Sequence, residues 1–126
     1  MPIEYKIIPD QKLVIARGTG VVVASEILEH MDILAADKSY IPPMKKLVDY
    51  RDTKSLDLSA DDAWNIANRR KKLAESLRGE RCAFVSPGDA TFAASRVHES
   101  LVNVADVNTA VFRTIEEAAD WLGIKL

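Results

Sequence analysis

The sequence predicts one α/β domain spanning residues 1–126, built on a mixed, mostly parallel sheet of about five strands with an N-terminal β-hairpin and four helices. Three observations predict it. Short β-branched runs alternate with amphipathic stretches, a pattern that requires helical crossovers and therefore parallel neighbours. The first two runs are separated only by "PDQ", where Pro9 fixes φ and Asp10 favours a turn, so they form a hairpin and add one antiparallel strand at an edge. No internal repeat, low-complexity tract or linker interrupts the chain, and an apolar fraction of 48% with 29% charged residues is ordinary for a globular protein.

The hairpin strands are "IEYKII" and "KLVIARGTG", and the second is nearly continuous in apolar residues from Leu13 to Ala16, as expected of a strand covered on both faces. In "SEILEHMDILAAD", Ile27, Leu28, Met31, Leu34 and Ala35 recur at helical spacing, with Ser25 as the expected N-cap. The prolines of "YIPPM" end that pattern, and Lys45 to Asp52 reads as a strand. The longest helical segment is "SADDAWNIANRRKKLAESL". Its apolar stripe is Ala63, Ile66, Ala67, Leu73, Ala74 and Leu77, and Gly79 is its expected stop. "RCAFVS" reads as a buried strand and "PGD" as a turn. "ATFAASRVHESLV" reads as a helix with Ala93, Val97 and Leu101 on one side, and Asp89 as its N-cap. "TAVFRT" is the last strand. "IEEAADWLG" is the last helix, with a capping box between Thr114 and Glu117 and Gly123 as its stop.

Charge and composition narrow the function classes. A net charge of −2 argues against a nucleic-acid partner. A single cysteine, Cys82, allows no internal disulfide, the N-terminus lacks the apolar core of a secretory signal, and no apolar run is long enough to span a bilayer. A cytoplasmic location is expected. His30, His98 and Cys82 show no metal-ligand spacing, no cofactor fingerprint is present, and no Gly-x-Ser-x-Gly elbow supports Ser59 or Ser86 as a nucleophile, so the chain reads as a non-enzyme. Cys82, Trp64 and Trp121 read as core or interface residues. The basic run Arg69 to Lys72 fans around its helix and reads as a solvated face, with Lys71 and Lys72 in reach of Glu75 and Arg70 falling within the apolar stripe. Arg17 and Asp49 are charges inside apolar strands and are expected to pair with each other or to reach the sheet's edge.

Two places remain as candidate sites. "SPGD" joins a buried strand to a helix start. Ser86, Gly88 and Asp89 there, with Arg51 and Asp52 at the corresponding end of their strand, are expected to line a crevice beyond the carboxyl ends of the strands. In "SLDLSADDAW", Ser59 is expected to cap a helix by accepting from the amide near Asp62, with Asp61 and Asp62 favoured by the helix dipole.

The hairpin ending "RGTG", the strand "LVDYRD", the "LDLS" helix start, "VSPGDATFAASRVHE" and the closing "AVFRTIEEAADWLG" together resemble the small bacterial STAS-like (SpoIIAA-like) proteins, often grouped with lipid-carrier domains of the CRAL-TRIO type. In the anti-sigma factor antagonists of that group, a serine at the start of the helix after this strand is phosphorylated, within a motif of roughly Asp-Ser-Ser-Gly. Asp57, Leu58, Ser59 and Ala60 would occupy those places here, so Leu58 stands where the acceptor serine is expected. The resemblance implies a regulatory or protein-interaction domain without the phosphorylation switch. It would present Asp57, Leu58, Ser59 and Asp62 to a protein partner or a second copy. The alternative is a carrier or sensor of a small apolar or lipid-like ligand.

Overall fold

The computed structural model describes residues 3–103 and 108–126, except for the side chains of residues 98 and 100–103. Its strands are β1 (Ile3–Ile8), β2 (Leu13–Val23), β3 (Lys45–Asp57), β4 (Arg81–Val85) and β5 (Asn108–Phe112). Its helices are α1 (Ala24–Ala36), α2 (Ala60–Lys72), α3 (Asp89–Asn103) and α4 (Ile115–Leu122). The sheet order is β1-β2-β3-β4-β5, with β1 antiparallel to β2 and the other pairs parallel, as the sequence predicts.

Each crossover steps one strand further in the same direction, and a common hand therefore deposits α1, α2 and α3 on one face. On that face lie Ala16, Val48, Tyr50, Cys82, Phe84 and Val111, every second residue of their strands. The intervening residues Leu13, Leu47, Ala83 and Val85 point the other way and pack on Ala118 and Leu122 of α4. Both sides are buried, which is why β4 reads as an uninterrupted apolar run. A third cluster, Val14, Leu34, Tyr40, Met44 and Leu77, closes the end of the domain where β3 and β4 begin. Burying each such Leu or Val side chain contributes about 1.5–3 kcal/mol.

The structure departs from the sequence expectation in places that have physical causes. Helix α1 starts at Ala24, not after Ser25: β2 runs straight into it, and Glu26 Oε1 accepts the Val23 amide at 3.1 Å. Helix α2 stops at Lys72, where the Leu73 amide bonds Arg69 O. Residues 73–79 form a turn that brings Leu77 into the core. Gly79 closes that turn with φ +72°, and a Cβ there would lie 2.8 Å from Pro43 Cβ. Glu75 pairs with Arg78 rather than with Lys71 or Lys72. The first α3 bond is accepted by Gly88 O, so Asp89 sits in the first turn and is not the cap. Helix α3 is also rotated relative to the expected stripe. Ala93 and Val97 are exposed, Thr91 and Ser95 are buried, and Leu101 and His98 fall outside the described side chains. Ser59 and Thr114 do cap α2 and α4, and Gly123 ends α4 in the left-handed region. In the Thr114 box, however, Glu117 Oε1 accepts the Thr114 hydroxyl rather than its amide.

β2 and β3 run on together to Val23 and Asp57, whereas β4 ends opposite Asp49. Register shifts at Arg17/Thr19 and Gly20/Val21 curl this two-stranded arm, since bulges increase local twist. The arm folds back so that Val22 is fully buried among Ala16, Val48 and Tyr50, with Leu56 packed alongside.

Candidate functional site

Between the inner sheet face and α1–α3 the side chains do not meet completely. The cavity left there offers about 50 Å³ to the centres of water-sized molecules, within a concavity of about 670 Å³ that includes its open mouth. The half-buried residues of its lining, Ile27, Leu56, Leu58 and Ala94, mark that mouth. Val48, Tyr50, Phe84 and Met31 form an apolar wall, and the base is polar: His30, Lys46, Arg70, Cys82, Ser95 and Thr109.

The strand register explains the polar base. Lys46 pairs with Cys82 and Cys82 with Thr109, so one row across β3, β4 and β5 presents an amine, a thiol and a hydroxyl to the cavity. Above this row α2 contributes Arg70, whose Nη2 lies 2.6 Å from Glu80 Oε1, both side chains nearly inaccessible. The Tyr40 hydroxyl donates to the other Glu80 oxygen at 2.5 Å. From α1 comes His30, stacked edge-on against Tyr5 with ring centroids 5.4 Å apart.

Burial sets the electrostatics of this base. It lowers the His30 pKa to about 2, helped by the charge on Lys46, so the imidazole is neutral. Its Nε2 has no hydrogen-bond partner among the described residues. Burial also lowers the Lys46 pKa, with Arg70 adding to the effect and Glu80 opposing it. For Arg70 burial works against the charge, but Glu80 holds it up. The Cys82 thiol is pushed up to about 12 by burial and by Glu80, so it packs as a small core side chain. No group of three or more metal-ligating side chains occurs among the described residues.

The whole domain is similar to the crystal structure of an uncharacterized protein of the DUF3478 family, with a SpoIIAA-like fold, from Shewanella loihica PV-4. The TM-score is 0.60 and the identity 20%, over 95% of this chain and 93% of that one. The fold is SpoIIAA-like. No protein-family model matches the sequence, and no curated protein does.

In this SpoIIAA-like domain the residues singled out from sequence are distributed around the cavity rather than gathered in one crevice. Arg51 grips Asp49 through Nε and Nη2, at 3.0 and 2.9 Å. Burial would raise the Asp49 pKa, but these bonds hold it below the usual carboxylate range. Arg17 pairs instead with Asp52 at the surface, so the expected Arg17–Asp49 pair does not form. Asp89 is exposed and bonds Arg113 at 2.6 Å. Gly88 O accepts the Phe92 amide and the Thr91 hydroxyl. None of Arg51, Asp52, Ser86, Gly88 and Asp89 lines the cavity, although buried Ser86 reaches Ser95 in its base through a 3.1 Å hydroxyl contact.

At the other candidate place, Ser59 Oγ accepts the Asp62 amide and Asp62 Oδ2 accepts the Ser59 amide, both at 3.0 Å. Asp57 ends β3 at the surface, and Leu58 forms part of the cavity mouth. Trp64 is 54% exposed, so it is not a core residue, whereas Trp121 stacks near Phe112 under the Arg81 guanidinium. Sequence reasoning missed Lys46 and His30 as site residues. The signal was their phase: Lys46 is in step with Val48 and Tyr50, and His30 with Ile27 and Leu34. No described helix is long and apolar enough to cross a membrane.

Proposed function

We propose that this domain is a non-enzymatic binding module that holds a small, largely apolar ligand between its sheet and α1–α3, as a carrier or sensor. The observation that carries the reading is the cavity itself. Protein interiors normally close-pack, and an unfilled space against unpaired buried polar groups lowers stability. Such a space has a rationale if a ligand completes it, and its interior has room for more than one water-sized molecule behind an open mouth. Leu58 suits the same role: at the place where the resembling anti-sigma factor antagonists carry a phosphorylatable serine, this chain puts an apolar side chain at the mouth.

Native mass spectrometry on protein isolated without denaturation tests this. The expected result is a small-molecule adduct that is lost in Ala94→Phe, where a larger side chain obstructs the mouth while the protein stays folded. A bare chain, together with no binding of small apolar compounds in titration, would refute it.

A second reading, an interaction domain that docks through the Ser59-capped helix, is favoured by Trp64. Large exposed aromatics are enriched at interfaces, and Trp64 lies in the first turns of α2. Sedimentation of wild type and Trp64→Ser across a concentration series tests self-association. A monomer in both cases removes the second-copy form of this reading.

A further inference from the structure

The base of the cavity assigns the ligand's polar end: we infer that the ligand is an apolar carboxylic acid whose carboxylate sits between Lys46, Arg70 and His30. This rests on the cavity being a ligand site, as proposed above.

Lys46 is 5% exposed, lines the cavity, and its ammonium makes no hydrogen bond or salt bridge with a described residue. His30 is 6% exposed, lines the same base, and its Nε2 is unpartnered. Arg70 is paired with Glu80 through Nη2 at 2.6 Å, and a guanidinium has further N–H groups to donate. Among the described residues two cations therefore face one carboxylate, and no described Asp or Glu lines the cavity. With Lys46 protonated, the described groups of the base carry an excess of one positive charge where both cations are almost fully buried.

A single negative charge answers that excess. A neutral ligand leaves Lys46 uncompensated. A phosphate monoester, with a charge of about −1.5 to −2 near neutral pH, overshoots it. The axis of the cavity fixes the orientation. Lys46, Cys82 and Thr109 lie at the starts of β3, β4 and β5, and the apolar mouth at Leu56 and Leu58 lies beyond the far end of β3. The head group is thus innermost and the hydrocarbon points outward. Such an anion would also offset the burial that disfavours charge on Lys46 and His30.

Calorimetric titration of the full chain with octanoate, octanol, octylamine and octyl phosphate tests the head group at constant tail. Octanoate is expected to bind about thirtyfold or more tightly than octanol, the scale of a buried charge contact. Lys46→Met, checked for folding by its melting curve, is expected to erase that preference while still taking up octanol. Equal binding of octanoate and octanol by wild type overturns the carboxylate and leaves the ligand-site reading standing. A preference for octylamine or octyl phosphate overturns it likewise. Binding of none of the four overturns both. Retained octanoate preference in Lys46→Met overturns the role of Lys46. Should that variant not fold, the wild-type ranking decides alone.

Discussion

Ser59 and His30 each show what a single side chain does here and how it is measured. The Ser59 hydroxyl satisfies one of the amides that the start of α2 would leave orphaned, and Asp62 returns the bond. Ser59→Ala should lower stability by about 1 kcal/mol, and Ser59→Asp, which keeps an acceptor at the cap, should be close to neutral. Urea unfolding of the two variants beside wild type checks both values. A larger loss for the aspartate than for the alanine would contradict the capping role. His30 acts through its protonation. Its folded pKa of about 2 is below the ordinary 6.5, so only the unfolded chain takes up this proton readily. Its contribution is complete above about pH 6.5 and falls by about 1.4 kcal/mol per pH unit as the pH drops from there toward the folded value. Asp49 and Asp37, also held low, act in the same direction only from 3.8 downward, and Lys46, held below 10.5, acts in it from higher pH, so between pH 3.8 and 6.5 the histidine is read as the difference between wild type and a His30 variant. His30→Phe keeps an aromatic ring against Tyr5 and should flatten the melting temperature across that window. An unchanged acid slope in this variant would place the effect elsewhere.

At the scale of elements, the arm made by the far ends of β2 and β3 positions the cavity mouth, and Gly18 sets how closely the two strands lie. A Cβ on Gly18 would fall 2.8 Å from both Thr53 Oγ1 and a Tyr50 ring carbon. Tyr50 is 5% exposed and stacked on Phe84, so it has little room to yield. Gly18→Ala should therefore cost about 1–3 kcal/mol, the usual scale of overpacking, and should weaken ligand uptake through the displaced Tyr50 wall. Chemical denaturation with a binding titration checks this, and a variant as stable as wild type would show that the strands separate freely. The arm also marks the limit of what was legible. The hairpin, the alternation and the caps at Ser59, Thr114 and Gly123 follow from local chemistry, and those elements are where the sequence places them. "DTKSLD" has no strand signal of its own and is extended because the tail of β2 pairs with it, a tertiary effect that local propensity does not carry. Likewise, α3 turns Thr91 and Ser95 inward against its apparent apolar stripe because Ser86 offers Ser95 a buried partner.

For the molecule as a whole, the two buried cations carry the contrast that distinguishes a binding module from a plain core. Arg70 was readable in part, since it stands in the stripe of α2, but its partner Glu80 follows a glycine turn and has no periodic signal. Lys46 is the second of two lysines opening a strand, and its burial appears only once β4 and the helices enclose it. Removing these cations should have opposite effects. Arg70→Met leaves Glu80, among the described residues, with the Tyr40 hydroxyl as its side-chain hydrogen-bond partner, and breaking a buried pair from one side costs about 3–5 kcal/mol. Lys46→Met removes a charge that the fold disfavours, keeps the volume of the stem, and should stabilise the empty protein by about 1–4 kcal/mol. A side chain whose loss stabilises the fold is held there by something other than folding, in keeping with the general trade between stability and function at sites. Thermal melts of the two variants without added ligand test the contrast. If both lower the melting temperature alike, Lys46 is a structural member of the Glu80 cluster, and the excess positive charge attributed to the cavity is already answered within the protein.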